Sequence, residues 1–197
     1  MRVSFLLFAL FWFASAASAN DGLELKGLML GGEVTTVQVE QSLATPCEQF
    51  GKPCDETWKG IHDHMKVSCG DGSDGVKVCN GTTTIAGVSA DANVVIGSDG
   101  RLQRIFLTVG SDSFDVIADE LSKKFGRPST VKHSVVQNGF GATYAQVEFV
   151  WQRVNGLSVL LTKYASDVDH STIYFSTKQD RQLMSGSGAD SKRSEDM

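Results

Sequence analysis

The clearest hydrophobic pattern in the chain is helical and lies between residues 112 and 125 (DSFDVIADELSKKF). Four apolar side chains recur along one face of this segment: Phe114, Ile117, Leu121 and Phe125. Such spacing predicts an amphipathic helix whose apolar face packs on a core. Gly126 offers a left-handed C-terminal cap and Pro128 prevents continuation, so the helix should end near Phe125.

Apolar residues just before this helix predict a β-hairpin. The stretches 93–96 (NVVI) and 102–109 (LQRIFLTV) flank Ser98-Asp99-Gly100, a residue combination that is typical of a turn between strands. We therefore expect the two stretches to pair as antiparallel strands.

A second hairpin is predicted around Asn155-Gly156, between residues 145–154 (AQVEFVWQRV) and 157–164 (LSVLLTKY). Asn-Gly is a strong hairpin signal, because both residues of a two-residue turn need positive φ. A turn of that length fixes the register and places Trp151 opposite Leu160. Apolar and aromatic side chains would then share the face that packs on the core: Val147, Phe149, Trp151, Leu160 and Tyr164.

The rest of the pattern is weaker. Residues 23–30 (LELKGLML) form a short, broken strand pattern. Residues 33–43 (EVTTVQVEQSL) are compatible with a helix or a strand, and an acidic residue at the start favours the helix. Residues 44–57 predict a loop that contains proline and cysteine, and residues 171–177 (STIYFST) predict a last strand.

Strands joined by turns predict an antiparallel sheet, and helices on one face of that sheet make an α+β domain. The stretch LMLG (28–31) followed by Val37 is echoed by LTVG (107–110) followed by Val116. The expected fold class is therefore α+β, an antiparallel sheet meander with two helices on one face. The echo indicates two tandem helix-plus-sheet units.

The first 19 residues are typical of a signal peptide. Arg2 precedes an apolar run, residues 5–14, that is too short to span a bilayer, and Ala17-Ser18-Ala19 forms an A-x-A cleavage pattern. An uncleaved membrane anchor is the alternative, and the shortness of the run argues against it. We expect a periplasmic or secreted protein.

The mature chain should contain a single domain over residues 20–183 and a disordered tail over residues 184–197 (MSGSGADSKRSEDM). The formal net charge of −5 becomes −6 when Arg2 is removed. No run of Lys or Arg resembles a nucleic-acid footprint, and no second apolar segment is long enough to span a membrane. We therefore expect neither a nucleic-acid partner nor a membrane span after signal cleavage.

All four cysteines lie within a short region of a chain that is expected to be exported: Cys47, Cys54, Cys69 and Cys79. An even count in an oxidising compartment favours disulfides. The pairing Cys47–Cys54 with Cys69–Cys79 is favoured because each bridge closes a local loop. The crossed and nested pairings remain open.

The sequence HDHM (62–65) just before Cys69 raises the alternative of a metal site. If residues 61–69 form a strand, His62 and His64 point the same way. However, Lys66 would then occupy the same face, and zinc needs three or four converging ligands. The glycine-rich loop CGDGSDGVKVC also lacks the spacing of a calcium loop. A disulfide-stapled hairpin is the favoured interpretation, with no metal and no cofactor.

A polar cluster before the last strand could indicate a hydrolase. It contains Asp167, Asp169, His170 and Ser171, but no G-x-S-x-G elbow supports a serine nucleophile. The sequence also contains no H-E-x-x-H, P-loop or dinucleotide-binding glycine motif. A polar turn is the favoured interpretation of the cluster, and no catalytic residue is assigned.

Two aromatic residues lie in a glycine-flanked stretch, Phe140 and Tyr144. If they are exposed on a rigid sheet, they would act as interface anchors. The alternative is that both cap the core, and this is favoured because large aromatic side chains are mostly buried.

Several stretches give the chain a family resemblance: LMLG (28–31), the cysteine loop, TIAG (84–87), GSDGRL (97–102) and LSKKFGRP (121–128) before a Trp-bearing hairpin. The chain resembles small exported bacterial proteins of unassigned function. In architecture it is also similar to β-lactamase-inhibitory proteins and to small outer-membrane assembly lipoproteins. It departs from the lipoproteins because no lipid-anchor cysteine follows the cleavage pattern.

The functional expectation is an exported, non-enzymatic module that binds another protein of the envelope or extracellular space through a rigid antiparallel sheet. The expected role of such a module is that of an inhibitor or an immunity factor, because a disulfide-braced domain shows no converging catalytic set. The alternatives are a periplasmic metal-binding protein that uses His62 and His64, and a hydrolase of unknown substrate.

Overall fold

The structure is a computed structural model that describes residues 22–49, 52–165 and 167–185. It confirms the expected α+β class, because one large antiparallel sheet carries helices. The helices with defined bounds are α1 (Thr36–Leu43), α2 (Glu56–Met65) and α3 (Phe114–Phe125). Short 3₁₀ helices span Ser73–Gly75 and Ser111–Ser113. Residues 178–185 are also helical and are called the terminal helical segment.

The strands form one large sheet and two small hairpins. The small hairpins are β1 (Glu24–Leu25) with β2 (Leu28–Met29), and β3 (Glu48–Gln49) with β4 (Lys52–Pro53). The large sheet contains β5 (Ser68–Asp71), β6 (Lys77–Ile85), β7 (Val88–Ile96), β8 (Leu102–Gly110), β9 (Thr130–Gln137), β10 (Thr143–Gln152), β11 (Ser158–Thr162) and β12 (His170–Ser176).

The order of strands in the large sheet is β5-β6-β7-β8-β12-β11-β10-β9. It consists of two antiparallel halves that meet where β8 pairs with β12. Each half follows a helix in the chain, α1 before β5–β8 and α3 before β9–β12. This arrangement is the tandem of helix-plus-sheet units that the echo predicts, with α2 as an additional helix in the first unit.

Both unit helices pack on the same face of the sheet. Phe114 and Phe125 of α3 contact Phe149 and Phe175, at centroid distances of 5.7 Å and 6.1 Å. On the other half, the hydroxyl of Thr83 donates to the carbonyl oxygen at the C-terminal end of α1, over 2.7 Å. The helix predicted over residues 112–125 begins two residues later, after the second 3₁₀ turn.

Local sequence explains where α1 begins. Thr35 is the N-cap, and its hydroxyl accepts from the backbone N–H of Gln38 while the Gln38 side chain accepts from the Thr35 N–H. This reciprocal capping box favours a helix over the strand alternative. Val39 and Leu43 then form the buried face of α1.

The structure corrects the interpretation of residues 44–69. Asp55 caps α2 through its side chain, at 3.0 Å from the N–H of Trp58. His62 and His64 therefore lie on a helix, and the strand that follows begins only at Ser68. The sequence interpretation missed this helix although Trp58, Ile61 and Met65 recur at helical spacing. These side chains stay 44–45% exposed, so the apolar stripe of α2 does not pack into the core.

The hairpin β10–β11 is present, but the predicted register is wrong by one residue. Trp151 pairs with Val159, and Leu160 pairs with Val150. Arg153 and Leu157 close a three-residue loop, in which Gly156 has a φ of 82° and its N–H donates to the Arg153 carbonyl. An Asn-Gly sequence is compatible with this longer loop as well.

The one-residue shift changes which side chains face the core. A slip of one position moves a strand's alternating side chains to the opposite face. Val159 and Leu161 are buried beside Trp151, whereas Leu160 faces away from the helices. The ring of Tyr164 contacts Tyr144 rather than the core, at a centroid distance of 5.7 Å.

Both favoured disulfides are present. Cys47 is bonded to Cys54 across the β3–β4 hairpin, and Cys69 is bonded to Cys79. The second pair lies directly opposite on β5 and β6, so CGDGSDGVKVC is a stapled hairpin as predicted. Disulfides are typical of oxidising, extracytoplasmic environments.

Two predictions concern the ends of the chain, and a third concerns membrane spans. The signal peptide lies outside the described residues. Of the predicted tail, the structure describes only residues 184 and 185, which belong to the terminal helical segment. None of the described helices has the length and apolar character that crossing a bilayer requires.

Candidate protein-binding face

The face of the large sheet that lies opposite α1 and α3 is called the open face. Successive side chains of a strand point to opposite faces, so residues that alternate with the buried core positions define it. The helix-facing positions of β8 are Ile105, Leu107 and Val109. The open-face positions are Asn80, Thr82, Asp91, Asn93, Arg104, Phe106, Thr108, Lys132, Glu148, Val150, Gln152, Leu160, Thr172 and Tyr174.

Three adjoining depressions cross this face. The first, of about 400 Å³, lies over β6–β8; the second, of about 370 Å³, is central; and the third, of about 220 Å³, lies over β9–β12. Asn93 and Phe106 line both the first and the second. Leu160 and Tyr174 line both the second and the third. The depressions therefore form a continuous trough across the strands.

An aromatic pair forms the centre of the trough. The rings of Phe106 on β8 and Tyr174 on β12 meet edge to face, with centroids 6.1 Å apart. Aromatic pairs of this geometry present a rigid apolar surface at little cost in side-chain entropy. The pair lies at the β8–β12 junction, where the two tandem units meet.

Buried groups fix the position of Tyr174. Its hydroxyl donates a hydrogen bond to the carboxylate of Asp180, whose side chain is only 6% exposed. Burial is the main reason why the pKa of Tyr174 is raised to about 12, and the Asp180 carboxylate raises this pKa further. The guanidinium of Arg104 lies 3.8 Å from the same carboxylate and opposes the shift.

Arg181 attaches the terminal helical segment to the sheet. One guanidinium nitrogen donates to the hydroxyls of Ser158 and Ser176, over 2.7 Å and 3.0 Å, and the other donates to the carbonyl of Gly156 over 2.7 Å. The segment then leads to Met184, which lines the central depression. The end of the described chain therefore borders the trough and does not fill it.

The charged groups of the open face are largely compensated by one another. Lys132 and Glu148 lie 3.7 Å apart, and Arg104 faces Asp180. Asp91 adds one exposed carboxylate beside the first depression. The face is therefore nearly neutral and consists mainly of hydroxyl, amide, aromatic and aliphatic groups.

The structure does not bring His62 and His64 together as metal ligands. Residues two apart on a helix point in different directions, and the imidazole Nε2 of His62 lies 3.4 Å from the hydroxyl of Thr45. In the ranges that the structure describes, no group of three or more His, Cys, Asp or Glu side chains is arranged to hold a metal ion.

The polar cluster at the start of β12 does not form a triad, since Asp167 and Asp169 precede the strand and His170 and Ser171 are its first two residues. The imidazole Nδ1 of His170 lies 2.8 Å from the carboxylate of Asp167, and this hydrogen bond is the main reason why the pKa of Asp167 is lowered. Ser171 is fully buried on the opposite side of the strand, and its hydroxyl donates to the carbonyl of Lys163 over 2.6 Å. Its hydroxyl is therefore not available to His170.

Phe140 is at the tip of the β9–β10 loop and is 100% exposed. The interpretation that it caps the core is therefore wrong. The carboxamide oxygen of Asn138 accepts from the N–H groups of Phe140 and Ala142, over 3.1 Å and 3.0 Å, and this holds the loop in shape. Tyr144 is half-buried, and its hydroxyl accepts from the Asn138 amide over 3.3 Å.

Sequence reasoning missed the residues at the centre of the open face. Phe106 and Tyr174 each stand in a predicted strand, at positions that alternate with the buried residues. Alternation within residues 102–109 already places Phe106 among polar neighbours on the face away from the core. Only the strand order reveals that the two rings meet.

Comparisons with known proteins do not assign a family. No family model matches the chain, and no curated protein or solved structure is similar to it at a significant level. The geometry of the open face therefore carries the functional argument.

Proposed function

We propose that this chain is an exported, non-enzymatic protein-binding module that holds a segment of another protein in the trough of the open face. The observation that carries the proposal is the aromatic pair Phe106–Tyr174, which is rigid and partly exposed at the centre of the open face, on the side of the sheet where α1 and α3 do not pack. Aromatic side chains in central depressions with a polar rim have the composition of binding hot spots.

The chemistry of the face indicates the kind of partner. Because the charges of Lys132, Glu148 and Arg104 are compensated within the protein, a strongly charged partner would gain little from them. The partner segment should be nearly neutral. Its aliphatic or aromatic side chains would contact Phe106, Leu160 and Tyr174, and its backbone would bond to the surrounding hydroxyl and amide groups.

The rigid loop at Phe140 would extend the contact beyond the trough. The Phe140 side chain makes no contact with the core, and the hydrogen bond from its backbone N–H to Asn138 holds the loop so that the ring points outward. A side chain that is ordered before binding loses less entropy when a partner contacts it. Tyr144 lies behind it on the strand that follows the loop. We place the protein in the periplasm or outside the cell, and we propose that it acts there as an inhibitor or an immunity factor.

A matched pair of substitutions tests the proposal. Leu160→Asp places a charge in the trough at a position that faces away from the core, while Val116→Asp makes the same chemical change on the exposed side of α3, where Val116 is 49% exposed. Immobilised wild-type protein and the two variants are incubated with periplasmic extract. The expected partner is retained by the wild type and by Val116→Asp and is lost with Leu160→Asp.

The same experiment can also give results that contradict the proposal. Recovery of no partner at micromolar concentrations, or of a partner that Leu160→Asp still retains, would refute the open face as the binding surface. Hydrogen exchange on the recovered complex should show protection at β8, β11 and β12. If the partner is an enzyme or a toxin, loss of its activity in the complex identifies the inhibitor or immunity role.

A further inference from the structure

β9 is an edge strand of the large sheet, and β10 lies on its other side. It is eight residues long, which makes it an extended edge by the standards of globular proteins. Val131 and Val135 are 45% and 70% exposed on it. A long edge strand with exposed β-branched side chains is a template for pairing with another strand.

The backbone of β9 has a defined outward row of hydrogen-bonding groups. The N–H of Asn138 donates to the carbonyl of Ala142 over 3.0 Å, in continuation of the β9–β10 register. Hydrogen-bonded pairs alternate along an antiparallel ladder, so Thr130, Lys132, Ser134 and Val136 direct their backbone groups toward β10. The backbone groups that point away from the sheet therefore belong to Val131, His133, Val135 and Gln137.

The sequence of this edge is nearly symmetric about its centre. Val-Lys-His-Ser-Val (131–135) places a valine two residues before and two residues after His133, and all three of these residues have outward backbone groups. A two-fold interface requires such self-complementarity, because residue i of one copy must match residue j of the other and the reverse.

We propose that two copies of this chain pair antiparallel through β9, with the two-fold axis at His133. In this register Val131 lies opposite Val135 of the second copy, and His133 lies opposite its own equivalent. Three hydrogen-bonded pairs then exchange about six main-chain hydrogen bonds. The product is one continuous sheet that runs through both molecules.

The positions of the charged side chains are compatible with this register. Lys132, which pairs with Glu148 at 3.7 Å on its own molecule, lies opposite Ser134 of the second copy and not opposite another lysine. Both valine pairs lie on the helix-facing side of the sheet, where Val131 is opposite Phe149 and Val135 is opposite Ala145 of β10. The apolar contact therefore continues from the core of each molecule across the junction.

The opposite edge of the sheet does not offer the same surface. β5 contains only four residues, SCGD, and one of them is the bridged Cys69. It ends at Asp71, which pairs with Lys77. We therefore expect one two-fold contact per molecule and a closed dimer, not a fibre that grows at both edges.

Proline scanning tests the backbone direction and the dimer together. Proline is tolerated on an edge strand where the lost N–H faces outward. Val135→Pro should therefore leave the melting temperature of the monomer almost unchanged, and it should raise the dimer dissociation constant about 10- to 100-fold by removing two hydrogen bonds per dimer. Ser134→Pro removes an inward N–H and should lower the melting temperature. Sedimentation over a concentration series measures the dissociation constant.

A second set of variants tests the register without proline. His133→Cys should form a disulfide-linked dimer on mild oxidation, because the Cα atoms of a hydrogen-bonded pair are about 5.5 Å apart. Val135→Cys should not cross-link to its own equivalent, since the two positions lie four residues apart along the strands. Val135→Lys should weaken the dimer, while Val154→Lys, at a residue that is 95% exposed in the β10–β11 loop, should not.

The outcomes are decisive in either direction. A dimer that weakens with Val135→Pro and Val135→Lys and cross-links through His133→Cys supports the proposal. A monomer at all concentrations overturns it, as does a dimer that these variants leave intact. A monomer whose β9 edge becomes protected from hydrogen exchange only in a complex with another protein would assign the edge to that protein, and it would also overturn the self-pairing.

Discussion

Replacing Gly81 by alanine should destabilise the fold more than the same change at Gly87 or Gly70. Gly81 lies on β6, and the chain that leaves α2 crosses it. A Cβ atom at this position would lie 2.5 Å from both the Cα and the N of Val67, and 2.6 Å from the carbonyl carbon of Lys66. These atoms belong to the backbone, so no side-chain rotation relieves the contact.

The expected loss in the free energy of unfolding has two contributions. Forcing a methyl group into packed structure costs about 1–3 kcal/mol. The φ of Gly81 is 155°, in a region that only glycine adopts readily, which adds about 1–3 kcal/mol for any other residue. We expect a loss of about 3–4 kcal/mol in the free energy of unfolding, which is a large part of the total stability of an ordinary domain.

Two glycines of the same chain serve as controls. Gly87 has a φ of 78° and no atom within 4 Å of the position that a Cβ would take, so Gly87→Ala isolates the conformational cost of about 1–2 kcal/mol. Gly70 has neither a positive φ nor a close neighbour, so Gly70→Ala should be neutral or slightly stabilising. Urea unfolding followed by circular dichroism measures the three values under the same conditions.

The expected order of destabilisation is Gly81→Ala, then Gly87→Ala, then Gly70→Ala. If Gly81→Ala exceeds Gly87→Ala by less than about 1 kcal/mol, the backbone crossing does not have the described geometry. The same substitution should also displace Met65, whose carbonyl accepts from the Thr82 hydroxyl over 3.0 Å and whose side chain lines the first depression. Partner binding should therefore weaken together with stability.

Three further predictions concern covalent, buried and titrating groups. Replacing Cys69 and Cys79 together by alanine should cost about 2–3 kcal/mol in urea unfolding, since their bridge closes a short loop; an unchanged midpoint would contradict this. Trp151→Phe should cost about 1–3 kcal/mol, because the indole N–H donates over 2.8 Å to the carbonyl of the residue that caps α3; equal stability would show that this bond contributes nothing. Tyr174, whose folded pKa of about 12 exceeds the ordinary value of 10.0, should contribute stability that is fully present below pH 10 and is lost as the pH rises toward 12. Ultraviolet titration should show one late tyrosinate that is absent from Tyr174→Phe, and a wild-type titration without it would refute the shift.

The elements that the sequence predicts well are those in which local signals and burial agree. In α3 the apolar stripe, the lysines of the last turn and Gly126 all indicate one helix, and the structure contains it with a start only two residues later than predicted. The same agreement holds for the hairpin between β7 and β8, where the turn residues and the apolar strands coincide. Such consistency between local and tertiary preference makes a segment predictable.

The wrong predictions for α2 and for the register of the β10–β11 hairpin have identifiable physical causes. α2 has a capping aspartate but no buried residue, and Gly60 in its interior lowers its intrinsic helix propensity. Its formation depends on tertiary contacts at its end, including the carbonyl of Met65. At Asn155-Gly156, two-residue and three-residue loops are both compatible with the same residues. The sequence therefore indicates a hairpin without determining its register.

The open face could not be predicted for a geometric reason. Its trough is made from residues of strands that are distant in the chain, and each strand contributes only one to three of them. Phe106 and Tyr174 are 68 positions apart and meet only because β8 pairs with β12. That pairing is the junction of the tandem units, and the unit helices both pack on the other face. The architecture that creates the core therefore keeps α1 and α3 away from the open face, which the terminal helical segment borders. The function of the protein therefore depends on which molecule binds the open face. Comparing Leu160→Asp with Val116→Asp tests whether a partner binds there, because only Leu160 lies in the trough.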